Sequence, residues 1–312
     1  MTKRMLSLAV AATLWAATPA MAHPGSAIVV DRLGQIWFLD TGDGLWKIDT
    51  HGALIHVGGN RFHWMTLDQD NLFSRTPLPR DVTRIGTSPT LLIASDYPIA
   101  MGRDGNLYYP SVGPRGRVQI MRQLPSGATS VVATLPATAA DGEPLKWLNG
   151  LTSGADGALY FTENNSIRRV SMQGQITTVA TNLRVAGCVS IPGNAPSDSL
   201  FLRGLSVDAA GVMYVAASGC GSVLRISPDG RVTKLVQLES PWSPTAVALF
   251  GTDVYVLEYL HTEVEDRRAW VPRVRKISAD GNSVIVAKGR AKIARGYKTL
   301  GSSHSGWTES IG

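Results

Sequence analysis

The sequence predicts an all-β chain folded as a six-bladed β-propeller of four-stranded antiparallel sheets. Three observations carry that prediction: a two-strand phrase recurring six times, hairpin turns after most copies, and a composition that excludes disorder. Of 312 residues, 44% are hydrophobic and only 17% charged, too apolar a balance for a disordered chain. The 32 Gly and 17 Pro follow no collagen-like period and mark a chain rich in turns.

The phrase is an apolar strand, a turn containing Asp or Gly, and an aliphatic–aromatic pair opening a second strand. It reads IVVDRLGQIWFLD at Ile36-Trp37, HWMTLDQDNLFS at Leu72-Phe73 and IAMGRDGNLYYPS at Leu107-Tyr108. It returns as LTSGADGALYFTE at Leu159-Tyr160, LSVDAAGVMYVAAS at Met213-Tyr214 and AVALFGTDVYVLEY at Val254-Tyr255. The copies lie 36, 35, 52, 54 and 41 residues apart. Period-two runs follow, such as SIRRVSMQG with QITTVAT and SVLRISPDG with RVTKLVQ, and their turns are those of β-hairpins. One four-stranded sheet cannot bury both faces, so six copies pack side by side and close radially, hiding their edges. A β-sandwich would not repeat one phrase six times, and a β-helix would repeat in fewer than about 30 residues. The second copy is the weakest. Its last two expected strands, DVTRIG and TLLIA, are flanked by prolines, and without it five blades remain.

Residues 1–22 read as a secretory signal peptide. Lys3 and Arg4 precede an apolar stretch from Met5 to Thr18 and the small-x-small site Ala20-Met21-Ala22. Removing them lowers the formal charge from +6 to +4, because they contain no acid. The expected organisation is 1–22 signal, 23–288 propeller and 289–312 basic tail. No later run approaches the roughly 18 apolar residues of a membrane span. These features imply a periplasmic or secreted monomer. The late basic residues, including Arg273, Arg275, Lys276 and Lys288, lack interleaved aromatics; they read as solvated surface, with no nucleic-acid partner. An anionic envelope component is the macromolecule such a surface would attract.

In such a fold the innermost strand of each blade lines a channel. Counting back eleven residues from each aromatic, or ten in blades two and six, gives equivalent mouth positions: Ser26, His63, Tyr97, Asn149, Arg203 and Thr245. Polar side chains converging on one axis mark a ligand site where a core would have aliphatics. The second strands end on the same face at Asp40, Glu163 and Glu258, with His261 following in the acidic loop HTEVED. Carboxylates, imidazole and guanidinium at one opening suit acid–base work or a divalent ion. Asp40, followed by Thr41-Gly42, equally suits a plain Asx-turn. An arginine aimed into a channel needs an anion or carboxylate to meet it.

Along the whole mature chain the repeats resemble NHL-type propellers and the SMP-30/gluconolactonase/streptogramin B lyase group. GADGALYFTENNSIRRVSMQGQITTVAT, residues 154–181, resembles a streptogramin-lyase blade, and Asn149-Gly150-Leu151 resembles the Asn-Gly entry of an SMP-30 inner strand. The resemblance implies a divalent cation, Ca or Mg, with Asn149 as one ligand; the strand-end carboxylates Glu163 and Glu258 are the further candidate ligands. SMP-30-like lactonases place a Glu where Ser26 stands and an Asp where Arg203 stands. Glu258, His261 and Glu263 echo the lyases' site in composition but not in spacing. The expected function is a hydrolase or lyase acting on a small lactone or cyclic ester. His63 or His261 would be the base, with Arg203 and Tyr97 stabilising an oxyanion. The alternative is a non-catalytic propeller binding an anionic small molecule, glycan or protein. No phosphate loop, zinc spacing or Gly-x-Ser-x-Gly elbow is present. Cys188 and Cys220 are the only cysteines. In an exported chain they should form a disulfide that ties the segment after blade four to a loop of blade five.

Overall fold

The structure, a computed structural model, describes residues 27–58, 62–186, 188, 200–260, 271–289 and 307–308. Its strands fall into six antiparallel sheets. Blade one is β1 (Ile28–Val30), β2 (Ile36–Asp40), β3 (Gly44–Ile48) and β4 (Leu54–Gly58). Blade two holds β5 (Trp64–Asp68), β6 (Val82–Ile85) and β7 (Thr90–Ala94). Blade three is β8 (Ala100–Met101), β9 (Leu107–Val112), β10 (Val118–Gln123) and β11 (Thr129–Thr134). Blade four is β12 (Gly150–Ser153), β13 (Leu159–Glu163), β14 (Ser166–Val170) and β15 (Ile176–Ala180). Blade five is β16 (Leu202–Val207), β17 (Met213–Ala217), β18 (Ser222–Ile226) and β19 (Val232–Gln237). Blade six is β20 (Trp242–Phe250), β21 (Asp253–Leu260), β22 (Val271–Ile277) and β23 (Ser283–Gly289), and β24 (Trp307–Thr308) adds an outer strand to it. Among the described residues no helix is long and apolar enough to cross a membrane.

The inner strands β1, β5, β8, β12, β16 and β20 each pack beside the next, and β20 returns to β1. The core is correspondingly divided into layers between neighbouring blades. Phe161 and Tyr108 share one layer, Tyr160 and Val215 the next, and Phe38 with Tyr259 the layer between blades six and one. The Tyr259 hydroxyl donates to the Leu39 carbonyl at 2.5 Å across 220 residues of sequence, tying the last blade to the first.

The recurring aromatic has a mechanical explanation. Asp31 accepts from the backbone of Leu33 and Gln35 and from Trp37 Nε1 at 3.0 Å. Tyr108 donates to Asp104 at 2.6 Å, and Tyr160 to Asp156 at 3.1 Å. In each case the polar tip of a mostly buried ring staples the turn that precedes it.

Blade two departs from the expected pattern. Leu72-Phe73 was expected to open a second strand, but it lies in a turn. The Asp68 carboxylate accepts from Leu72 N–H and Phe73 N–H at 2.9 and 2.7 Å, folding the segment back on itself. Phe73 is still fully buried between blades two and three. The second-strand position passes to β7, which lies between β5 and β6 in a three-stranded sheet.

Candidate functional site

Register places four of the six sequence-derived mouth positions, His63, Asn149, Arg203 and Thr245, at one end of the inner strands. Asn149 N–H donates to the Thr162 carbonyl at 2.9 Å, and His63 N–H donates to Ala94 at 3.2 Å. These two residues enter β12 and β5 in the same way, even though Phe73 is not a strand residue. β16 and β20 each carry a bulge here, between Leu202/Leu205 and Pro244/Ala246, so Arg203 and Thr245 are also equivalent. Ser26 and His261 lie outside the described residues.

Close blade contact produces the convergence. A Cβ on Gly150 would lie 2.7 Å from the Arg203 carbonyl oxygen, and one on Gly204 2.8 Å from Ala246 Cα. Asn149 and Arg203 are thus each followed by a glycine, and Thr245 by Ala246, where neighbouring backbones meet. Thr162 Oγ1 donates to the Arg203 carbonyl at 2.7 Å, fastening blade four to blade five.

Arg203 is 6% exposed, with its guanidinium 5.0 Å from the centre of the Phe201 ring. Burial alone lowers its pKa to about 10, so it remains a cation at neutral pH. Asn149 is buried, and its Nδ2 has no hydrogen-bond partner among the described residues. Thr245 is fully buried and donates weakly to the Leu257 carbonyl at 3.4 Å. His63 is half-buried and enters blade two, across the ring from blade five.

Other expected site residues are engaged elsewhere. Tyr97 packs with Phe73 and Leu92 between blades two and three, and its hydroxyl donates to the Arg80 carbonyl. Burial first, then Asp81, pushes its pKa up to about 12. Its hydroxyl is therefore occupied, which removes it from the oxyanion role. Asp40 Oδ1 accepts from Gly42 N–H at 2.8 Å, so this carboxylate forms the Asx-turn. Glu258 is fully buried, with Oε2 accepting from Arg273 Nε and Oε1 from Arg275 Nε at 2.5 Å. Arg273 also reaches Glu239 at 2.8 Å and lies 3.8 Å over the Trp242 ring. Arg273 and Arg275, expected on a solvated surface, are instead a buried and a partly buried partner in this network. The alternation of VPRVRKI turns both toward Glu258, because Glu258 pairs directly with Arg273 and Val256 with Arg275.

Glu163 is buried, with Oε1 accepting from Ala140 N–H at 2.6 Å and lying 2.8 Å from Arg168 Nε. Burial raises its pKa, against the opposing Ala140 bond and Arg168 charge. Arg168, unremarked in the sequence reading, lies on the neighbouring hairpin strand β14 and is the natural counter-ion. The candidate cation ligands Asn149, Glu163 and Glu258 do not make a metal centre. Glu258 is saturated by two arginines, and among the described residues no three His, Cys, Asp or Glu side chains cluster to hold an ion. No chemical step is assigned to a metal here.

Cys188 and Cys220 are disulfide-bonded, with Cα atoms 5.0 Å apart. Cys220 is buried in a short 3₁₀ turn (Ser218–Cys220) between β17 and β18. The bond tethers Cys188, from the connection between blades four and five, to blade five on the mouth face.

No family model matches the chain. A 6-deoxy-6-sulfogluconolactonase from Pseudomonas putida is 42% identical over 66 residues, which is 21% of this chain and 22% of that protein. A calcium-binding protein, regucalcin, from Agrobacterium tumefaciens is 15% identical with a TM-score of 0.50, covering 80% of this chain and 85% of its own. A catalytically inactive virginiamycin B lyase from Staphylococcus aureus, solved with quinupristin, is 18% identical with a TM-score of 0.41, covering 86% and 74%. The regucalcin likeness shows a shared fold.

Proposed function

We propose that this protein is an exported hydrolase that opens a small anionic lactone at the channel mouth. The observation carrying this reading is Arg203, a buried cation on the inner strand next to that of the buried Asn149, whose Nδ2 has no hydrogen-bond partner among the described residues. The local match to a sulfogluconolactonase, whose named substrate is a sulfonated lactone, supports the same substrate class. Export is supported by the pattern of residues 1–22 and by the disulfide.

In this reading Arg203 binds the anionic group and His63 takes a proton from water as the water oxygen attacks the lactone carbonyl. The Asn149 amide donates to the oxyanion that forms. The ring C–O bond then breaks, the leaving oxygen takes the proton back from His63, and a hydroxy acid is released. Tyr97 has no part in this scheme.

A second reading, a non-catalytic propeller that binds the same anion, is favoured by the pairing of Glu258 and Glu163 with arginines. A pH-stat assay on a panel of lactones and cyclic esters, with and without chelator, separates the two. The hydrolase reading expects ring opening by the wild type and at least a tenfold loss in kcat for His63→Ala. Anion binding without any turnover would leave only the second reading.

A further inference from the structure

A loop on the mouth face has a built-in anchor. Residues 137–145 fold as a small hairpin, with Leu145 N–H donating to Ala137 at 2.9 Å, Ala139 N–H to Glu143 at 2.7 Å, and Thr138 bridged to Pro144. Its anchor is the buried Glu163 carboxylate, which accepts from Ala140 N–H at 2.6 Å. Two further ties hold it: Thr181 Oγ1 donates to the Ala140 carbonyl at 3.3 Å, and Arg168 Nη2 to Thr138 at 3.4 Å. After the hairpin come Trp147, buried Leu148 and Asn149. Trp147 is 60% exposed, the only exposed tryptophan among the described residues.

An isolated exposed apolar residue usually means nothing. This one stands two residues before the buried Asn149 and two residues after a hairpin fixed by an ion-paired carboxylate. An indole has few rotatable bonds to immobilise on binding, and it offers a flat face to a ring. We propose that Trp147 is a ligand-contacting residue of the mouth, a stacking platform for a ring-bearing anion, and that Glu163 is its positioning residue. The inference rests on the proposed anion site but not on catalysis. It gives Glu163 a role other than metal ligand, and it implies that the mouth prefers closed rings to open chains.

The probes are D-glucuronate, a ring-bearing anion, and D-gluconate, its open-chain counterpart, with binding measured by calorimetry. Hydrogen exchange of peptides covering 137–148 is followed in parallel. Wild type should bind glucuronate at least tenfold more tightly than gluconate, and Trp147→Ala should abolish that preference while melting normally. Glu163→Ala should abolish it too, with exchange accelerated selectively in 137–148. Glu163→Gln, which keeps an oxygen to accept from Ala140, should restore both. Equal binding of the two probes, no binding of either, an unaltered preference in Trp147→Ala, or unchanged exchange in Glu163→Ala would each overturn the inference. Ring-selective binding without lactone hydrolysis would overturn the hydrolase reading alone.

Discussion

Replacing Gly150 with alanine tests the geometry on which the mouth depends. The added Cβ would lie 2.7 Å from the Arg203 carbonyl oxygen, 3.0 Å from Thr162 Oγ1 and 3.2 Å from Leu205 Cδ2. The nearest atom is backbone of the next inner strand, so relief requires blades four and five to separate. Overpacking of this kind costs about 1–3 kcal/mol. Weakening the Thr162 hydrogen bond to Arg203 adds roughly 1 kcal/mol. Against this, alanine restricts the unfolded chain and returns about 0.4–1 kcal/mol. The net loss should be about 1–3 kcal/mol, a fall in melting temperature of roughly 2–6 °C for a chain of this size. Thermal denaturation by circular dichroism measures it, with Gly86→Ala as the control. Gly86 is exposed, and a Cβ there would meet nothing within 4 Å. If Gly150→Ala melts with wild type, the inner strands are not so close and the convergence of Asn149 with Arg203 fails with them.

Other predictions follow from single contacts. Thiol titration of the denatured, unreduced protein should find no free thiol; keeping the bond through a loop of 32 residues should stabilise by roughly 3–4 kcal/mol on the chain-entropy model, read as a lower melting point after reduction. Tyr259→Phe leaves the buried Leu39 carbonyl without its donor and should cost about 1–2 kcal/mol in denaturant titration; no change would mean the ring is closed by packing alone. The Asp156 carboxylate is pushed up by burial, but Arg169, the Ala158 N–H and Tyr160 outweigh this and hold it below its ordinary 3.8. Its stabilising contribution is therefore complete above that pH and is lost as pH falls through the lower, folded-state value. Asp156→Asn should flatten this part of the acid limb of the stability curve, and an unaltered limb would contradict the assignment.

Much of the fold was legible because the repeated phrase is local. Strand, Asp turn and aromatic are fixed within a dozen residues, and the Trp37, Tyr108 and Tyr160 staples make the phrase a physical unit. Blade two was misread because Asp68 captures the backbone of Leu72 and Phe73, which cancels a strand that the pattern alone supports. Pro77 and Pro79 in the following segment were the available warning. The mouth register of His63 and Asn149 came from counting. The fate of each carboxylate did not, because it depends on which side chains of the adjacent strand and loop lie beside it. Glu258 is met by Arg273 and Arg275, Glu163 by Arg168 and Ala140, and Tyr97 by a carbonyl 17 residues before it. Asp40 alone showed its Asx-turn in the sequence.

Arg203 should make the mouth a site for anionic lactones. The direct measurement is the kcat/KM ratio for a sulfonated sugar lactone against the same lactone without its sulfonate, in wild type and in Arg203→Ala. Wild type should open the ring with at least a tenfold preference for the sulfonated substrate, and that preference should collapse in the variant while it still melts cooperatively. No turnover of either lactone, or a preference that survives the loss of Arg203, would contradict this role of Arg203.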